Sequence, residues 1–226
     1  WALRRCARAS FVADGAYVKE YIEPLIVDQL GHSGVQFHGG KAVVASALDR
    51  WHLAMALERA GCQVAVLDAA LALRVPLVFR GTRRFGVAAR FTMPVLRHIP
   101  LNLLYPRRMK SDRRPGAWAP AERYLAAADI LAGDSYLLWR DMPADLRGKT
   151  VVFSTATRGD VNEALARGAS VVASLSPSIE GRSVGANVVE AVISALEGRP
   201  PESMDREHYL RAWRRLGLEF RMERSG

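Results

Sequence analysis

The turn at residues 181–187 carries side chains that could bind an anion. Its sequence, GRSVGAN, follows an apolar, strand-like run and leads into a segment with helical periodicity. Arg182 can bind an oxyanion through two N–H groups, Ser183 can add a hydroxyl, and Asn187 lies in the predicted first turn of the helix, where partial positive charge also favours anions. A connector that binds nothing needs only a serine at the helix start. The turn therefore predicts a site for a carboxylate or phosphate.

A second loop, TATRGD at residues 155–160, has the same position between a predicted strand and a predicted helix. The Thr155 hydroxyl, the Arg158 guanidinium and the free N–H groups of the helix start form a donor set that also suits a carboxylate or phosphate. The same residues suit an ordinary Ser/Thr turn with a solvated arginine. Both alternatives stay open for this loop.

Strand and helix signals alternate along the chain. KAVVAS (41–46), a helix over 49–61 and CQVAVLD (62–68) predict a strand, a helix and a second strand, whose crossover should be right-handed and whose strands should be parallel. The remaining predicted elements are strands at 128–133, 150–155 and 169–176, a helix at 160–168 capped by Asp160, a helix after the 181–187 turn and a polar helix over 202–224. Together they predict an α/β fold, a parallel sheet of Rossmann-like βαβ units with helices on both faces.

The same pattern predicts three parts of the chain. Residues 1–40 form an N-terminal helical segment, 41–200 a Rossmann-like α/β domain with a basic insertion at 78–120, and 201–226 a C-terminal polar helix. The sequence starts at Trp1 and enters at once into residues typical of the middle of a helix. We therefore interpret the first part as the end of a truncated domain.

Ligands of open parallel sheets bind beyond the carboxyl ends of the strands. Ser46 and Asp49 follow the first strand, and Asp68 ends the second strand about 20 residues further on, where dinucleotide-binding proteins place an acid for the ribose. With Thr155, these residues are the candidate cofactor-binding set. No G-x-G-x-x-G precedes the helix, and Asp49 as a helix N-cap and Asp68 as a turn residue remain ordinary structural alternatives.

Positive charge is concentrated in the predicted insertion. The chain has a formal net charge of +9, and residues 80–114 contain ten Lys or Arg side chains against one Asp. Pro94, Pro100 and Pro106 interrupt this segment, whereas a helix on an anionic membrane would be longer and less broken. No reading helix or aromatic strand for nucleic acid is evident. We expect an irregular subdomain or lid with a buried apolar side and a solvent-exposed side rich in arginine. We expect neither a nucleic-acid nor a membrane partner.

Other classes of protein are disfavoured by composition. The chain has no run of about 18 apolar residues and no signal-peptide core, so a cytoplasmic protein is expected. Cys6 and Cys62 have no spacing typical of metal ligands, so no metal site is expected.

Several stretches carry a resemblance to a known family. They are VADGAYVKE (12–20), ASALDRWHLAMALERAG (45–61), LDAALALRVPL (67–77), TMPVLRHIPLNLLYP (92–106), the run over 122–152 and GRSVGANVVEA (181–191). In order and spacing they resemble the bacterial quinate 5-dehydrogenases, small α/β proteins that also have sequence upstream of the position of Trp1. The resemblance covers most of the chain, from about residue 11 to about residue 197.

The resemblance implies hydride transfer between NAD or NADP and a secondary alcohol of quinate, a cyclic polyhydroxy carboxylate. Arg182 and Ser183 would then bind the carboxylate. Lys19 and Asp134 are the candidates for proton transfer, because dehydrogenases of shikimate and quinate generally pair a lysine with an aspartate; a solvated lysine and a turn aspartate are the structural alternatives. A non-redox α/β protein that binds a phosphate or sugar acid in the same anion pocket is the alternative function. Either way the expected partner is a small anionic molecule, and the oligomeric state is not predicted.

Overall fold

A mixed, mostly parallel sheet of eight strands forms the centre of the computed structural model, which describes residues 12–96, 119–179 and 182–225. The strands are β1 (Lys41–Ala45), β2 (Gln63–Val66), β3 (Phe79–Arg80), β4 (Ile130–Gly133), β5 (Thr150–Phe153), β6 (Val171–Ile179), β7 (Arg182–Ser183) and β8 (Phe220–Arg224). The helices are α1 (Ala16–Tyr21), α2 (Leu25–His32), α3 (Trp51–Arg59), α4 (Asp68–Ala72), α5 (Thr82–Leu96), α6 (Ala119–Ala127), α7 (Ser135–Asp141), α8 (Arg158–Ala166), α9 (Ala186–Glu197) and α10 (Arg206–Arg215), with a 3-10 turn at Pro201–Ser203.

The strand order places β1 and β4 side by side in the interior of the sheet. Along the sheet the order is β3, β2, β1, β4, β5, β6, β7, and β8 also pairs with β6. β2, β1, β4, β5 and β6 are mutually parallel, whereas β3, β7 and β8 are antiparallel to their neighbours. From β1 the chain first builds outwards to β2 and then returns to add β4 on the other side. In open α/β sheets a ligand crevice lies at the carboxyl ends of such a pair.

Both faces of the sheet are covered, which explains why the parallel strands are apolar throughout. Alternate residues of β1 lie in different apolar layers, Val44 in one and Val43 in the other. The first layer contains residues of α1, α2, α3, α9 and α10, and the second contains residues of α4, α6, α7 and α8. The predicted α/β fold is therefore confirmed, and its sheet is mostly rather than wholly parallel.

The C-terminal part differs from its prediction. The polar helix expected over 202–224 ends at Arg215, and residues Phe220–Arg224 form β8, antiparallel to β6. Phe220 is buried against Trp213, with ring centroids 5.3 Å apart. Alternating apolar and charged side chains suit a strand with one buried face, and this edge pairing overrides the helical charge pattern.

Two helices also differ from their predictions. The helix expected to be capped by Asp160 starts at Arg158, because Thr157 is its N-cap and Asp160 completes a capping box with it. In the basic insertion, α5 continues through Pro94 instead of breaking there, so residues 82–96 are helical and not irregular. The rest of the predicted lid, residues 97–118, lies outside the described part of the chain.

A buried carboxylate anchors α1. One oxygen of Glu190 accepts the N–H groups of Asp14 and Gly15, at 3.1 and 2.9 Å, and the other accepts those of Tyr17 and Val18, at 2.9 and 3.3 Å. Glu190 is fully buried in α9. The N-cap residue of α1 is Gly15, which has no side chain to cap the helix. The carboxylate thus supplies both the missing acceptors and a charge that suits a helix N-terminus.

Gly15 permits this contact. It has φ +83°, and a Cβ there would lie 2.7 Å from the backbone nitrogen of Asn187. Any larger residue would push α1 away from α9. The two stretches 12–20 and 181–191 therefore meet in one contact between α1 and α9.

Replacing Glu190 with Ala should lower the free energy of unfolding by about 3 kcal/mol, because several buried N–H groups lose their acceptor. Glu190→Gln, which keeps one carbonyl oxygen, should cost less. Urea unfolding followed by circular dichroism measures both variants. Glu197→Ala on the same helix is the control, since its side chain is partly exposed and lies 3.9 Å from Arg215; equal losses for the Glu190 and Glu197 variants would contradict the anchoring role.

Candidate functional site

The carboxyl ends of β1 and β4 form the candidate site. The two ends are tied together, because the N–H group of Asp134 donates to the carbonyl oxygen of Ala45 at 3.1 Å. Gly133 makes the approach possible, since a Cβ there would lie 1.9 Å from that same oxygen. Ser46, directly after β1, has φ 65°, a left-handed conformation that is uncommon for residues other than glycine. Such conformations cluster at functional sites, and here it turns the chain into α3.

Lys19 reaches this turn from the last turn of α1. Its Nζ lies 2.6 Å from Oδ1 of Asp49, and the two side chains are 21% and 49% exposed. No side chain caps the N-terminus of α3, which begins two residues after Asp49. The turn therefore presents a lysine, a carboxylate and the positive end of a helix to the same edge of the sheet.

Two further charges lie behind this pair. Arg50 forms an ion pair with Glu23, and its Nε lies 3.5 Å from Oδ2 of Asp49. We call Lys19, Glu23, Asp49 and Arg50 the charged cluster. Glu23 is only 2% exposed, and its Oε2 has no hydrogen-bond partner. Burial raises the pKa of Glu23 to about 7, although Arg50 and Lys19 act in the opposite direction.

Asp68 fills the backbone donors of the turn after β1. Its Oδ1 accepts the N–H of Ala47 at 2.7 Å, and its Oδ2 accepts the N–H of Leu48 at 2.9 Å. Burial raises the pKa of Asp68 to about 6, against the lowering effect of these hydrogen bonds. In this structure the chain's own carboxylate thus occupies N–H groups at the position where a phosphate would approach in a dinucleotide-binding protein.

Asp134 is an N-cap. Its Oδ1 accepts the N–H groups of Tyr136 and Leu137, each at 3.0 Å, at the start of α7. The carboxylate partner of Lys19 in the structure is Asp49. The proton-transfer roles of both residues stay predictions.

Hydroxyl groups connect the loops after β4 and β5 with each other and with β6. The N–H of Thr155 donates to Oγ of Ser135 at 3.3 Å, and that hydroxyl in turn donates to the Thr155 carbonyl oxygen. Ser176 donates to the carbonyl oxygen of Ser154 at 2.8 Å. These bonds hold the strand ends in register, and Thr155 itself is exposed at the edge.

The predicted anion turn lies at the same edge. Arg182 and Ser183 form β7, which pairs with the carboxyl end of β6, and the Ser183 hydroxyl donates to the carbonyl oxygen of Ala156 at 2.6 Å. Arg182 is exposed, and Asn187 is exposed in the first turn of α9, whose N-cap is Gly185. The turn is therefore joined to the loop after β5, and its arginine faces solvent beside the strand ends.

Within the described ranges, no group of three or more His, Cys, Asp or Glu side chains is arranged to hold a metal ion. No helix found there is both long and apolar enough to cross a membrane.

A protein family matches nearly the whole chain. Residues 17–225 match a family described as Domain of unknown function (DUF8754). The chain belongs to this family. No curated protein and no solved structure matches it. The part of the DUF8754 chain that matches contains the whole charged cluster and all the loops at the carboxyl edge.

Sequence reasoning missed two members of the charged cluster in this DUF8754 chain. Arg50 follows Asp49 directly, so its position after a strand was a usable signal. Glu23 carried no signal, because a glutamate in a helical pattern is normally solvated, and only the packing of α1 and α2 shows that it is buried.

The pH dependence of stability should report on Glu23. Its folded-state pKa of about 7 lies above its ordinary value of 4.5, so the folded protein holds a proton that the unfolded chain releases. The stabilisation is fully present below about pH 4.5 and is lost as the pH rises to about 7.

Glu23→Gln should remove this dependence. Between about pH 5 and pH 7.5, the unfolding free energy of the unchanged protein should fall relative to that of the variant by about 2–3 kcal/mol. Urea unfolding at half-unit pH steps measures the difference. Glu20→Gln, an exposed neighbour, should run parallel to the unchanged protein; a Glu23→Gln curve that is also parallel would show that Glu23 does not titrate in this range.

Proposed function

We propose that this DUF8754 chain is an NAD(P)-dependent dehydrogenase of a small hydroxy acid such as quinate, with its site at the carboxyl ends of β1 and β4, and we expect the activity in the cytoplasm. The observation that carries the proposal is the pair formed by Lys19 and Asp49, 2.6 Å apart at this edge. The resemblance to quinate dehydrogenases implies a lysine and an aspartate in contact. Asp49 is an aspartate in contact with Lys19, and the role of Asp134 stays a prediction.

The order of the strands supports the proposal that the chain binds a nucleotide. The sequence β3, β2, β1, β4, β5, β6 is the strand order of Rossmann-like dinucleotide-binding sheets, although β3 is antiparallel here. Asp68 begins α4 just after the end of β2, on the correct side for a ribose, and its carboxylate has lone pairs left for hydroxyl groups after accepting two N–H groups. Ser46 follows β1, the neighbour of β2, and Thr155 follows β5, two strands further along the sheet. The uncapped start of α3 offers N–H groups to a phosphate.

The cofactor would accept the hydride of the substrate's secondary alcohol, and the chain must take up the hydroxyl proton. A lysine held by a carboxylate can do so when its amine is neutral, and Asp49 then stabilises the ammonium that forms. Arg50 contacts Asp49, and Glu23 in turn pairs with Arg50.

The carboxylate of the substrate needs a cation beyond this pair. Arg182 is exposed at the same edge, and Asn187 adds an amide beside the start of α9. Ser183 already donates its hydroxyl hydrogen to Ala156, so it would contribute its oxygen as an acceptor for a substrate hydroxyl. We therefore assign the charge recognition to Arg182.

One observation favours the second candidate, a non-redox protein that binds a phosphate or sugar acid. Asp68 holds the N–H groups of Ala47 and Leu48, so a dinucleotide phosphate cannot use them without displacing this carboxylate. A ligand that binds only near Arg182 avoids this conflict.

Nucleotide binding distinguishes the two candidates. NAD or NADP at about 100 times its dissociation constant should add roughly 2.7 kcal/mol to the unfolding free energy, measured as a rise in the thermal midpoint. With quinate or shikimate, absorbance at the reduced nicotinamide band should then report turnover. Lys19→Met and Asp49→Asn should each lower kcat at least about 100-fold, in line with the usual effect of a proton-transfer group, whereas Glu20→Gln should not. No midpoint shift with either nucleotide would exclude the dehydrogenase and leave the second candidate.

Anion binding at the β7 turn is tested separately. Arg182→Ala should weaken binding of quinate, or of phosphate for the second candidate, by about tenfold or more, because a bidentate charged contact is lost. Stability should change by less than about 0.5 kcal/mol, since the side chain is exposed. Calorimetric titration provides the affinities, with Arg214→Ala as the matched exposed control. Equal affinities for both variants would show that this turn is only a connector.

A further inference from the structure

A separate cavity lies at the other end of the strands. Its volume is about 650 Å³, and it opens at the amino ends of β1 and β2, between β3 and α6. Lys41, at the start of β1, lines this cavity, whereas the candidate site follows Ala45 at the end of the same strand. Sites for small molecules commonly have volumes of about 300–1,000 Å³. The cavity is therefore large enough for a ligand and distinct from the proposed active site.

The polar part of the lining is cationic. Lys41, Arg80 and Arg123 line the cavity together with a single carboxylate, Glu58. Among the residues that the structure describes, none of the three cations forms an ion pair with a carboxylate. Glu58 is already engaged, because it accepts the backbone N–H and the hydroxyl of Thr82 at the start of α5. The cations therefore remain available to an external anion.

Tyr124 organises two of these cations. The guanidinium of Arg123 lies 5.2 Å from the centre of the Tyr124 ring, and Nη2 of Arg80 lies 3.5 Å from the Tyr124 hydroxyl oxygen. The nearby cations lower the pKa of Tyr124, with the hydrogen bond from Arg80 as the largest cause. Arg80 belongs to β3 and Arg123 to α6. Because both guanidinium groups approach the Tyr124 ring, the two charges lie on one wall of the cavity.

The rest of the lining is uncharged and mostly apolar. Val43, Val64, Ala65 and Ala127 contribute aliphatic surface. Cys62 adds a thiol, and burial raises the pKa of this thiol to about 11, so it carries no charge near neutral pH. An apolar body can be buried against these residues while a charged group stays at the arginine wall.

We propose that this cavity binds an amphipathic anion, a flat apolar body with a carboxylate, sulfonate or phosphate group that contacts Arg80 and Arg123. The proposal does not depend on the dehydrogenase activity, because the two sites lie at opposite ends of the strands. Its specificity comes from two requirements together. The anionic group needs the cations, and the apolar body needs the volume beside Ala127.

The dye 8-anilinonaphthalene-1-sulfonate is a suitable probe, since it combines an aromatic body with one sulfonate and fluoresces when it is buried. Titration into the folded protein should show saturable binding. Arg80→Gln combined with Arg123→Gln should weaken it at least tenfold; both side chains are exposed, so the fold should be kept. The neutral analogue N-phenyl-1-naphthylamine should bind more weakly and be insensitive to the same pair of substitutions.

A second pair of variants tests the volume. Ala127→Phe should fill part of the cavity and weaken dye binding at least tenfold, whereas Ala126→Phe, at the adjoining exposed position that does not line the cavity, should leave it unchanged. Near-ultraviolet circular dichroism verifies that each variant is folded. The proposal is overturned if dye binding survives both the double arginine variant and Ala127→Phe, or if the neutral analogue binds as tightly as the sulfonate.

Discussion

The hydrogen bonds from the N–H groups of Asp14, Gly15, Tyr17 and Val18 to the buried carboxylate of Glu190 fix the position of α1, and the candidate site depends on that position. A six-residue helix is too short to be stable alone, so its place must be set by tertiary contacts. Glu190 accepts N–H groups at its start, and the N–H of Lys19 donates to Gly15 one turn later. Lys19 can then reach Asp49. Segments that lie more than 170 residues apart in the chain thereby meet beside the first strand of the sheet.

The charges at this edge balance one another. The charged cluster contains two cations and two carboxylates, so a ligand anion must compete with Asp49 and Glu23 for Lys19 and Arg50. Arg182 extends the cationic surface from the other side of the sheet edge. Because burial places the pKa of Glu23 near neutrality, the charge of the cluster changes with pH around pH 7. A ligand anion at the turn after β1 meets a similar competitor, because Asp68 already accepts the backbone N–H groups there.

Much of the architecture was predictable because burial on both faces leaves a clear record in sequence. The apolar runs around Val43 and Val151 could only be interior strands, and the alternation with helices predicted a parallel sheet. The edges were not predictable. Phe220–Arg224 carries charges that resemble a polar helix, and only the free edge of β6 makes it a strand. Pro94 was expected to break a helix that in fact continues two residues past it.

The loops that form the candidate site were predictable from the sequence. The pairs of side chains that contact each other within the site were not. Strand ends locate Asp49, Asp68, Asp134 and Arg182 at one edge, since parallel strands share a carboxyl end. Which carboxylate Lys19 contacts depends on how α1 packs, and that depends on Glu190, which in the sequence is one of several polar residues in a helix with an apolar stripe. Hydrogen exchange of α1 in Glu190→Gln tests this dependence most directly. We expect the amides of residues 18–21 to exchange at least ten times faster than in the unchanged protein, while those of β1 and β4 keep their protection; undiminished protection of α1 would contradict the account.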